Sequence, residues 1–482
     1  MASTIKKIYP TAICLALAAA GAVTAVILVL DADQPDYYRW LFVLPLLYAV
    51  LALAFRSLFR EMPGNLGVTF VLGLSFVRCV ISPLCMSLGD YAVTITKNIA
   101  RNTPYAIALV AYELAAVFLA LYIKQRRDAK KAAGRSAGPG SGAGRGDRTY
   151  AVLLGAVLAV LALCIFISPS LLRGYRSIFQ AGDVKFTTFE DAYLVRRFGK
   201  TFVGKLSMVV GQYLSRYAII AVPAFLMTLL SRKKTLLSRI AALVLCAFPL
   251  FFIGGTIARS LIYLVCLLMM YNYAFFEKTA NRNILLVICL AAAAVVGWWL
   301  FRGDESSRMA DASQRFSAYF SGVNVVSGSF NLPYEWSYRA RYLINDFIGA
   351  LPFSTTIFHI DYITVQKFFN NWNAVTGQIP TTIGMSYFYL GFLAAPVYSV
   401  AFAWTASEAG ERLKGTAGEN PLRTMRLVLT AFQFSMGIVM YNIEITLYNF
   451  VCVLLPMYIL EKLAYGNWRH GRRSRKGAAQ EP

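Results

Sequence analysis

Long apolar runs are the feature that most constrains this chain of 482 residues. Each run holds about 17–25 residues, the length that an α-helix needs to cross a hydrocarbon core of about 30 Å. Charged residues make up only 15% of the chain and hydrophobic residues 58%, whereas soluble proteins are about one-quarter charged. The sequence therefore predicts an all-α polytopic membrane protein and excludes an ordinary soluble domain.

The runs predict about twelve transmembrane helices. They lie near residues 10–30, 40–55, 66–88, 104–122, 149–171, 203–230, 240–256, 259–276, 284–301, 383–404, 427–443 and 445–465. The first run resembles a signal peptide, but it continues through Leu30 and is too long for a typical one. We therefore count it as a span.

Basic residues predict the orientation of the chain. The 47 Lys and Arg residues exceed the 24 Asp and Glu residues, and many of them lie in short loops between apolar runs. This bias marks cytoplasmic loops, so both termini are predicted to be cytoplasmic. The basic runs lack the fold context of a nucleic-acid site, so we expect no nucleic-acid partner.

The predicted spans divide the chain into three parts. Residues 1–301 hold nine helices, with a basic cytoplasmic linker at 123–148 (flexible at 129–146) and an external loop at 172–202; residues 302–382 form one large external loop; residues 383–482 hold three helices and a basic tail. A loop as long as 302–382 is uncommon unless it is functional, and we expect it to have structure of its own.

The eight cysteines all fall inside apolar runs. Their spacing fits neither a metal site nor a disulfide framework, so they are interpreted as small buried hydrophobic residues. We expect no metal and no cofactor.

One amphipathic helix is predicted inside the large loop, between Pro333 and Pro352. Its apolar stripe, suited to the membrane surface or the top of the helix bundle, consists of Trp336, Ala340, Leu343, Phe347 and Leu351. The opposite face carries Glu335, Arg339, Arg341, Tyr342, Asn345 and Asp346. Glu335 and Arg339 are four residues apart and could form a simple helical ion pair.

Arginines near the predicted outer side form a candidate anion site. Arg78 and Arg216 lie within apolar runs, where insertion of an arginine costs at least about 2.5 kcal/mol unless it faces a polar cavity or a partner. Arg259 follows two glycines in GGTIARS and opens a span. Together with Arg339 and Arg341 of the loop, these guanidinium groups suit a diphosphate on a polyprenyl tail. A buried structural pair or an interfacial anchor would also explain them.

Three residues of the large loop are candidate proton acceptors. Glu335, Asp346 and His359, the last beside Asp361, could deprotonate a sugar hydroxyl. A loop histidine is more often an ordinary polar residue than a catalytic one, so this assignment is a hypothesis.

Three stretches resemble the bacterial oligosaccharide repeat-unit polymerases, the O-antigen and capsular polysaccharide polymerase family. They are GGTIARSLIYLVCLLMMY (254–271), YRARYLINDFIGALPF (338–353) and FNNWNAVTGQIPTTIGMSYFYLGFLAAPVYS (369–399). They are similar to the family's small-residue and arginine element, its loop helix that ends at Leu-Pro, and its glycine-rich entry to the following span. The arrangement of spans with a large external loop late in the chain also resembles this family.

The resemblance implies a GT-C-like glycosyltransferase of the bacterial cell membrane with its active site facing outward. Such an enzyme joins undecaprenyl-pyrophosphate-linked oligosaccharide repeat units, both donor and acceptor, by inverting transfer without a metal. The arginines would stabilise the departing pyrophosphate, and a carboxylate or His359 would take the acceptor proton. Membrane lipid, a flippase and a chain-length regulator are the further partners that it implies.

Other functions stay open at this stage. A flippase for lipid-linked oligosaccharides would also use intramembrane arginines, although transporters concentrate polar residues at the bilayer midplane. An O-antigen ligase-like enzyme shares the large external loop. A polyprenyl-phosphate-sugar glycosyltransferase is the third alternative, because Asp31, Asp33 and Asp36 lie in the first external loop.

Overall fold

The computed structural model describes residues 2–62, 64–93, 96, 98–132, 143–176, 201–233, 235–251, 253–254, 257–276, 283, 305–320, 322–351, 354, 363–414 and 421–465. Regular structure in these residues is helical, apart from one short antiparallel pairing. Strand β1 (Tyr175–Arg176) pairs with β2 (Ile253–Gly254). The prediction of an all-α class is confirmed for this part of the chain.

We number the helices in chain order. They are α1 (Ala2–Leu30), α2 (Val43–Ala54), α3 (Arg56–Glu61), α4 (Leu66–Phe76), α5 (Ser82–Leu88), α6 (Ile99–Ala132), α7 (Ala143–Ile167), α8 (Phe202–Ser231), α9 (Leu236–Cys246), α10 (Phe248–Phe251), α11 (Ile257–Phe275), α12 (Glu305–Tyr319), α13 (Val323–Ser329), α14 (Trp336–Ala350), α15 (Val365–Asn373), α16 (Thr382–Leu390), α17 (Val397–Lys414), α18 (Pro421–Val439), α19 (Ile443–Asn449) and α20 (Leu455–Tyr465). Two 3-10 turns (Asp36–Tyr38 and Pro169–Gly174) and two π-helical turns (Val77–Ile81 and Phe450–Leu454) complete the elements.

Seven segments of the described chain are long and apolar enough to cross a membrane. They are Pro10–Leu30, Asp36–Ala54, Leu66–Leu88, Ile99–Ala129, Gly146–Ile167, Phe202–Ser231 and Ile443–Tyr465. Each contains at least 19 residues and matches one of the predicted spans. The chain is therefore a helical membrane protein.

Two of the other predicted spans are wrong as continuous helices. The run 383–404 is divided between α16 and α17, because Gly391 after α16 has φ +81° and ψ 178°, a conformation that essentially only glycine adopts. The run 240–256 contains most of α9, all of α10 and strand β2. The predicted span at 284–301 falls outside the described residues, so the total of twelve spans stays a prediction.

The basic segment 129–146 is not wholly the flexible linker that its composition predicts. Helix α6 continues to Ala132 and α7 begins at Ala143, so helix occupies both ends of the segment. Close to it, the Lys124 side chain is buried and forms ion pairs with Asp128 and Glu408. These contacts fix the turns of α6 that directly precede the segment 129–146.

Polar side chains begin several of the helices. Asn65, Thr201, Thr235, Thr381 and Asn442 each accept a hydrogen bond from a backbone N–H three residues further along. Such N-caps satisfy donors that the first helical turn leaves free and stabilise a helix by about 1 kcal/mol. They explain why these helices begin at these residues.

The described residues of the segment 302–382 are mostly helical and pack closely on the apolar helices. Helix α14 coincides with the predicted loop helix, and α12, α13 and α15 accompany it. All seven residues of α13 are buried, and its Val323 and Val326 belong to the main apolar core. A separate apolar cluster joins α13, α14 and α15 to α16 and α19. The membrane helices and this segment therefore share a core.

Candidate functional site

Arg78 lies in the π-helical turn between α4 and α5, and its side chain is buried. Its Nη1 atom donates to Glu113 Oε2 of α6 at 2.6 Å and to the carbonyl oxygen of Ile438 in α18 at 3.4 Å. The other carboxylate oxygen of Glu113 accepts a hydrogen bond from the Ser399 hydroxyl of α17. One buried ion pair therefore connects elements from four parts of the bundle.

Part of the Arg78 guanidinium has no partner among the described residues. Its Nε and Nη2 atoms are buried without a hydrogen bond, and so is the hydroxyl of Ser82 one turn further along. Both side chains line a small cavity, the Arg78 cavity, whose other walls come from Leu41, Leu44, Pro83, Met86, Val110, Gly322 and Val323. An unpaired buried polar group costs about 1–3 kcal/mol, so we expect this cavity to hold water or an anion.

The free edge of the guanidinium determines which anion suits the Arg78 cavity. Its Nε–H and Nη2–H groups match two oxygens of a phosphate or a carboxylate, which the point charge of a lysine cannot do. Glu113 already neutralises Arg78, so an incoming anion competes with the Glu113 carboxylate. The cavity has about the size of a water molecule, so a phosphate group enters only when the surrounding helices move apart.

Arg216 is also buried, but it has other partners. It donates to the Tyr448 hydroxyl of α19, and its guanidinium lies 5.6 Å from the Tyr448 ring centroid and 6.0 Å from that of Tyr213. No residue of α8 lines the Arg78 cavity. Arg259 is the third residue of α11, and its side chain lies outside the described residues. The meeting of Arg78, Arg216 and Arg259 at one cleft stays a prediction.

The Arg339 side chain forms a hydrogen bond with helix α16. Its Nε atom donates to the Phe388 carbonyl at 2.6 Å, and its guanidinium lies 4.4 Å from the Tyr334 ring centroid and 5.6 Å from that of Trp336. The simple ion pair between Glu335 and Arg339 is not formed in the described part of the chain. The arginine instead ties the first turns of α14 to the end of α16.

The other predicted loop residues differ in accessibility. Glu335 is the exposed N-cap residue of α14, and Arg341 is exposed on the same helix. Both could contact a substrate without rearrangement. His359 and its neighbour Asp361 lie outside the described residues, so their role as proton acceptors stays a prediction.

Asp346 is fully buried, and both of its carboxylate oxygens have partners. Oδ1 accepts from the backbone N–H of Val365, the first residue of α15, and Oδ2 accepts from the Tyr389 hydroxyl of α16. Burial raises the pKa of Asp346 to about 6, although these two hydrogen bonds act in the opposite direction. The like charge of Glu444 in α19 is close enough to interact with it. This arrangement favours a structural role for Asp346 over a role as proton acceptor.

The Asp346→Asn variant is expected to lose a pH dependence of stability. A raised carboxyl pKa means that protonation favours the folded state, so this stabilisation is present below pH 3.8 and is lost as the pH rises through about 6. The loss amounts to at most about 3 kcal/mol, and the asparagine keeps an acceptor for Val365 without the buried charge. Thermal unfolding in detergent between about pH 4 and 7 measures it.

The control for this measurement is Asp311→Asn, because Asp311 is an exposed aspartate of α12. Its pH profile should match that of the unsubstituted chain. If Asp346→Asn also gave an unchanged profile, the environment assigned to Asp346 would be wrong.

Comparisons of the chain with protein-family profiles, curated proteins and solved structures found no match. Among the described residues, the Arg78 cavity is the place where an arginine of an apolar span and the start of α13 line one opening.

Three residues around Arg78, namely Glu113, Ser82 and Ser399, are not among the residues predicted from the sequence. Glu113 interrupts the apolar run AYELAAV just as Arg78 interrupts its own run, so two opposite charges inside spans were a usable signal for a pair. Ser82 and Ser399 carried no such signal, because serine is common in membrane helices. Their role follows only from how the helices pack.

Proposed function

We propose that the chain is a membrane glycosyltransferase that polymerises undecaprenyl-diphosphate-linked oligosaccharide repeat units into a surface polysaccharide on the outer face of the bacterial cell membrane. The observation that carries the proposal is the Arg78 cavity. There Arg78, whose Nε and Nη2 atoms are buried without a hydrogen bond, lines a cavity together with Gly322 and Val323 at the start of α13, in the predicted external segment 302–382. A substrate with a polyprenyl tail and a sugar head spans the same boundary.

In the proposed reaction, an acceptor hydroxyl attacks the anomeric carbon of the donor saccharide. The bond between that carbon and the diphosphate oxygen breaks, the hydroxyl proton passes to a base, and undecaprenyl diphosphate leaves. The free edge of Arg78 stabilises the charge that develops on the diphosphate. Glu335, which is exposed, and His359 are better candidates for the base than Asp346, whose oxygens are both engaged.

The diphosphate reaches Arg78 only after local opening. Gly322 and Val323 form the wall of the cavity on the side of α13, so a shift of this short helix is the simplest way to admit a phosphate group. The incoming anion then replaces part of the interaction between Arg78 and Glu113, while the Ser399 hydroxyl still donates to Glu113. The carboxylate of Glu113 would then be buried without its full counter-charge, so admission of the phosphate requires Glu113 to take up a proton.

A lipid-linked oligosaccharide flippase is the second candidate. The buried pair of Arg78 and Glu113 lies between membrane-length helices, and ionisable residues in such positions often mark the pathway of a transported substrate. A flippase would bind the same diphosphate but would leave the saccharide length unchanged.

Reconstituted protein distinguishes these functions. Vesicles that contain the purified chain and undecaprenyl-diphosphate-linked repeat units are expected to yield a ladder of longer saccharides on a gel. Arg78→Lys keeps the charge opposite Glu113 but lacks the free guanidinium edge, so we expect a rate loss of about 100-fold. The matched control is Arg315→Lys, since Arg315 is exposed and pairs with Asp311 in α12.

Movement of the lipid across the bilayer without a ladder would favour the flippase. A ladder at the unsubstituted rate from Arg78→Lys would remove Arg78 from the site and leave the glycosyltransferase without its main support.

A further inference from the structure

Helix α14 (Trp336–Ala350) turns its polar side inward. Its buried residues include Tyr342, Asn345 and Asp346. Asn345 donates to the Ile363 carbonyl at 2.9 Å, and Asp346 accepts from Val365 and Tyr389. The polar groups of this helix are thus satisfied by its packing against the protein.

The outer side of α14 is largely apolar. Trp336 is 71% exposed and Ile344 58%, and Phe347 and the following Leu351 are exposed as well. A helix at a water surface has the opposite arrangement, with apolar residues facing the core and polar residues facing outward. Water is therefore an unsuitable environment for this side of α14.

Helix α12 (Glu305–Tyr319), from the same segment of the chain, shows the ordinary arrangement. Asp311, Gln314 and Arg315 are exposed, whereas Ala312 and Ser313 are buried. The exposed side chains of α12 are mostly polar and those of α14 are largely apolar, so water does not suit both surfaces.

The outward residues of α14 are also ordered along its axis. Tyr334 and Trp336 lie at its start and Arg341 in its first half, and Ile344, Phe347 and Leu351 follow toward its end, over about 22 Å of helix. Tyrosine, tryptophan and arginine side chains suit the headgroup level of a bilayer, and isoleucine, leucine and phenylalanine side chains suit the acyl region. The order matches a helix that enters the membrane with its C-terminal half.

A neighbouring surface continues this apolar side. Arg339 binds the carbonyl of Phe388 in α16, and the segment that follows exposes Leu390, Phe392 and Leu393, the last of them 86% accessible. Exposed apolar residues at the end of α16 and in the turn beyond it therefore lie close to the start of α14.

We propose that α14 is a lipid-facing helix, with Trp336 and Arg341 among the headgroups and with Ile344 and Phe347 against the acyl chains. This moves part of the predicted external loop 302–382 into the membrane surface. The inference does not depend on the proposed glycosyl transfer.

Fluorescent labels at single introduced cysteines test this placement. The variants Ile344→Cys and Phe347→Cys carry the label on the C-terminal half of α14, and Gln314→Cys carries it on α12 as the matched control. Each protein is reconstituted in vesicles of phosphatidylcholine and phosphatidylglycerol. The unsubstituted chain gives the background, since its described cysteines are buried or half-buried.

Lipids with brominated acyl chains are expected to remove most of the emission from residues 344 and 347 and little from residue 314. Aqueous iodide should do the opposite. Quenching of the α14 labels by iodide would overturn the proposal by showing that this side faces water. Protection of the α14 labels from both quenchers would also overturn it, because the side would then be covered by protein, such as a second copy of the chain.

Discussion

Replacing Glu113 by leucine is expected to lower the free energy of unfolding by about 3–5 kcal/mol, because Arg78 then stays buried without its counter-charge. Both side chains are at most 4% exposed, so little solvent screens the remaining charge. Loss of the carboxylate also leaves the Ser399 hydroxyl without its acceptor. Equilibrium unfolding in mixed micelles measures the change.

Two controls separate a buried pair from a general effect of the substitution. The double variant Arg78→Met and Glu113→Leu removes both charges and should recover most of the loss, since apolar replacement of a whole buried pair is often neutral. Asp311→Leu breaks the exposed pair with Arg315 and should cost less than about 1 kcal/mol. If the double variant were as unstable as the sum of its single variants, the two residues would not interact energetically.

The sequence predicts most of the membrane helices because their physical requirement is simple. A helix that crosses lipid must be long and apolar, and that property is visible in any window of the chain. The hydrophobicity of a sequence window does not show where a helix ends within an apolar run. The run 383–404 is apolar throughout most of its length, yet it divides at Gly391, whose backbone conformation depends on how α16 and α17 pack.

The side of α14 that is buried could not be predicted from periodicity alone. The spacing of Trp336, Phe347 and Leu351 correctly indicates a helix with an apolar stripe, and it leaves open whether lipid or protein covers that stripe. In water, burial of the stripe would be the only stable choice. Beside a membrane, the polar face is buried instead, and Asp346 finds its partners on α15 and α16.

The candidate site was predictable in part. Arg78 was identifiable because an arginine inside an apolar run needs a polar partner or a cavity, and the structure provides both. The partners of Arg78 come from α6 and α18, and the Ser399 hydroxyl that binds Glu113 comes from α17. These helices are distant from Arg78 in the sequence, so no local pattern identifies the partners. Arg216 also lies inside an apolar run, and its polar partners are the hydroxyl and ring of Tyr448. An arginine in a span therefore indicates a polar partner, but it does not indicate a functional role.

The crossing of α4 and α17 is the place where a single methyl group should have the largest effect on packing. A Cβ atom on Gly67 would overlap the carbonyl group of Ala406, and the Asn65 side chain donates to the Ser407 carbonyl at the same crossing. The clash is with backbone atoms, so it is relieved only if the two helices move apart as a whole. Gly67→Ala is therefore expected to lower the free energy of unfolding by about 3 kcal/mol, the upper range for an overpacked core.

Gly73→Ala is the matched control, because Gly73 lies in the same helix and a Cβ atom there would have no neighbour within 4 Å. It should change the free energy of unfolding by less than about 1 kcal/mol, since alanine favours a helix and meets no obstacle. Unfolding of both variants in mixed micelles gives the comparison. Equal effects of the two substitutions would mean that α4 and α17 do not approach each other as closely as described, and the bundle that positions Arg78, Glu113 and Ser399 would need a different packing.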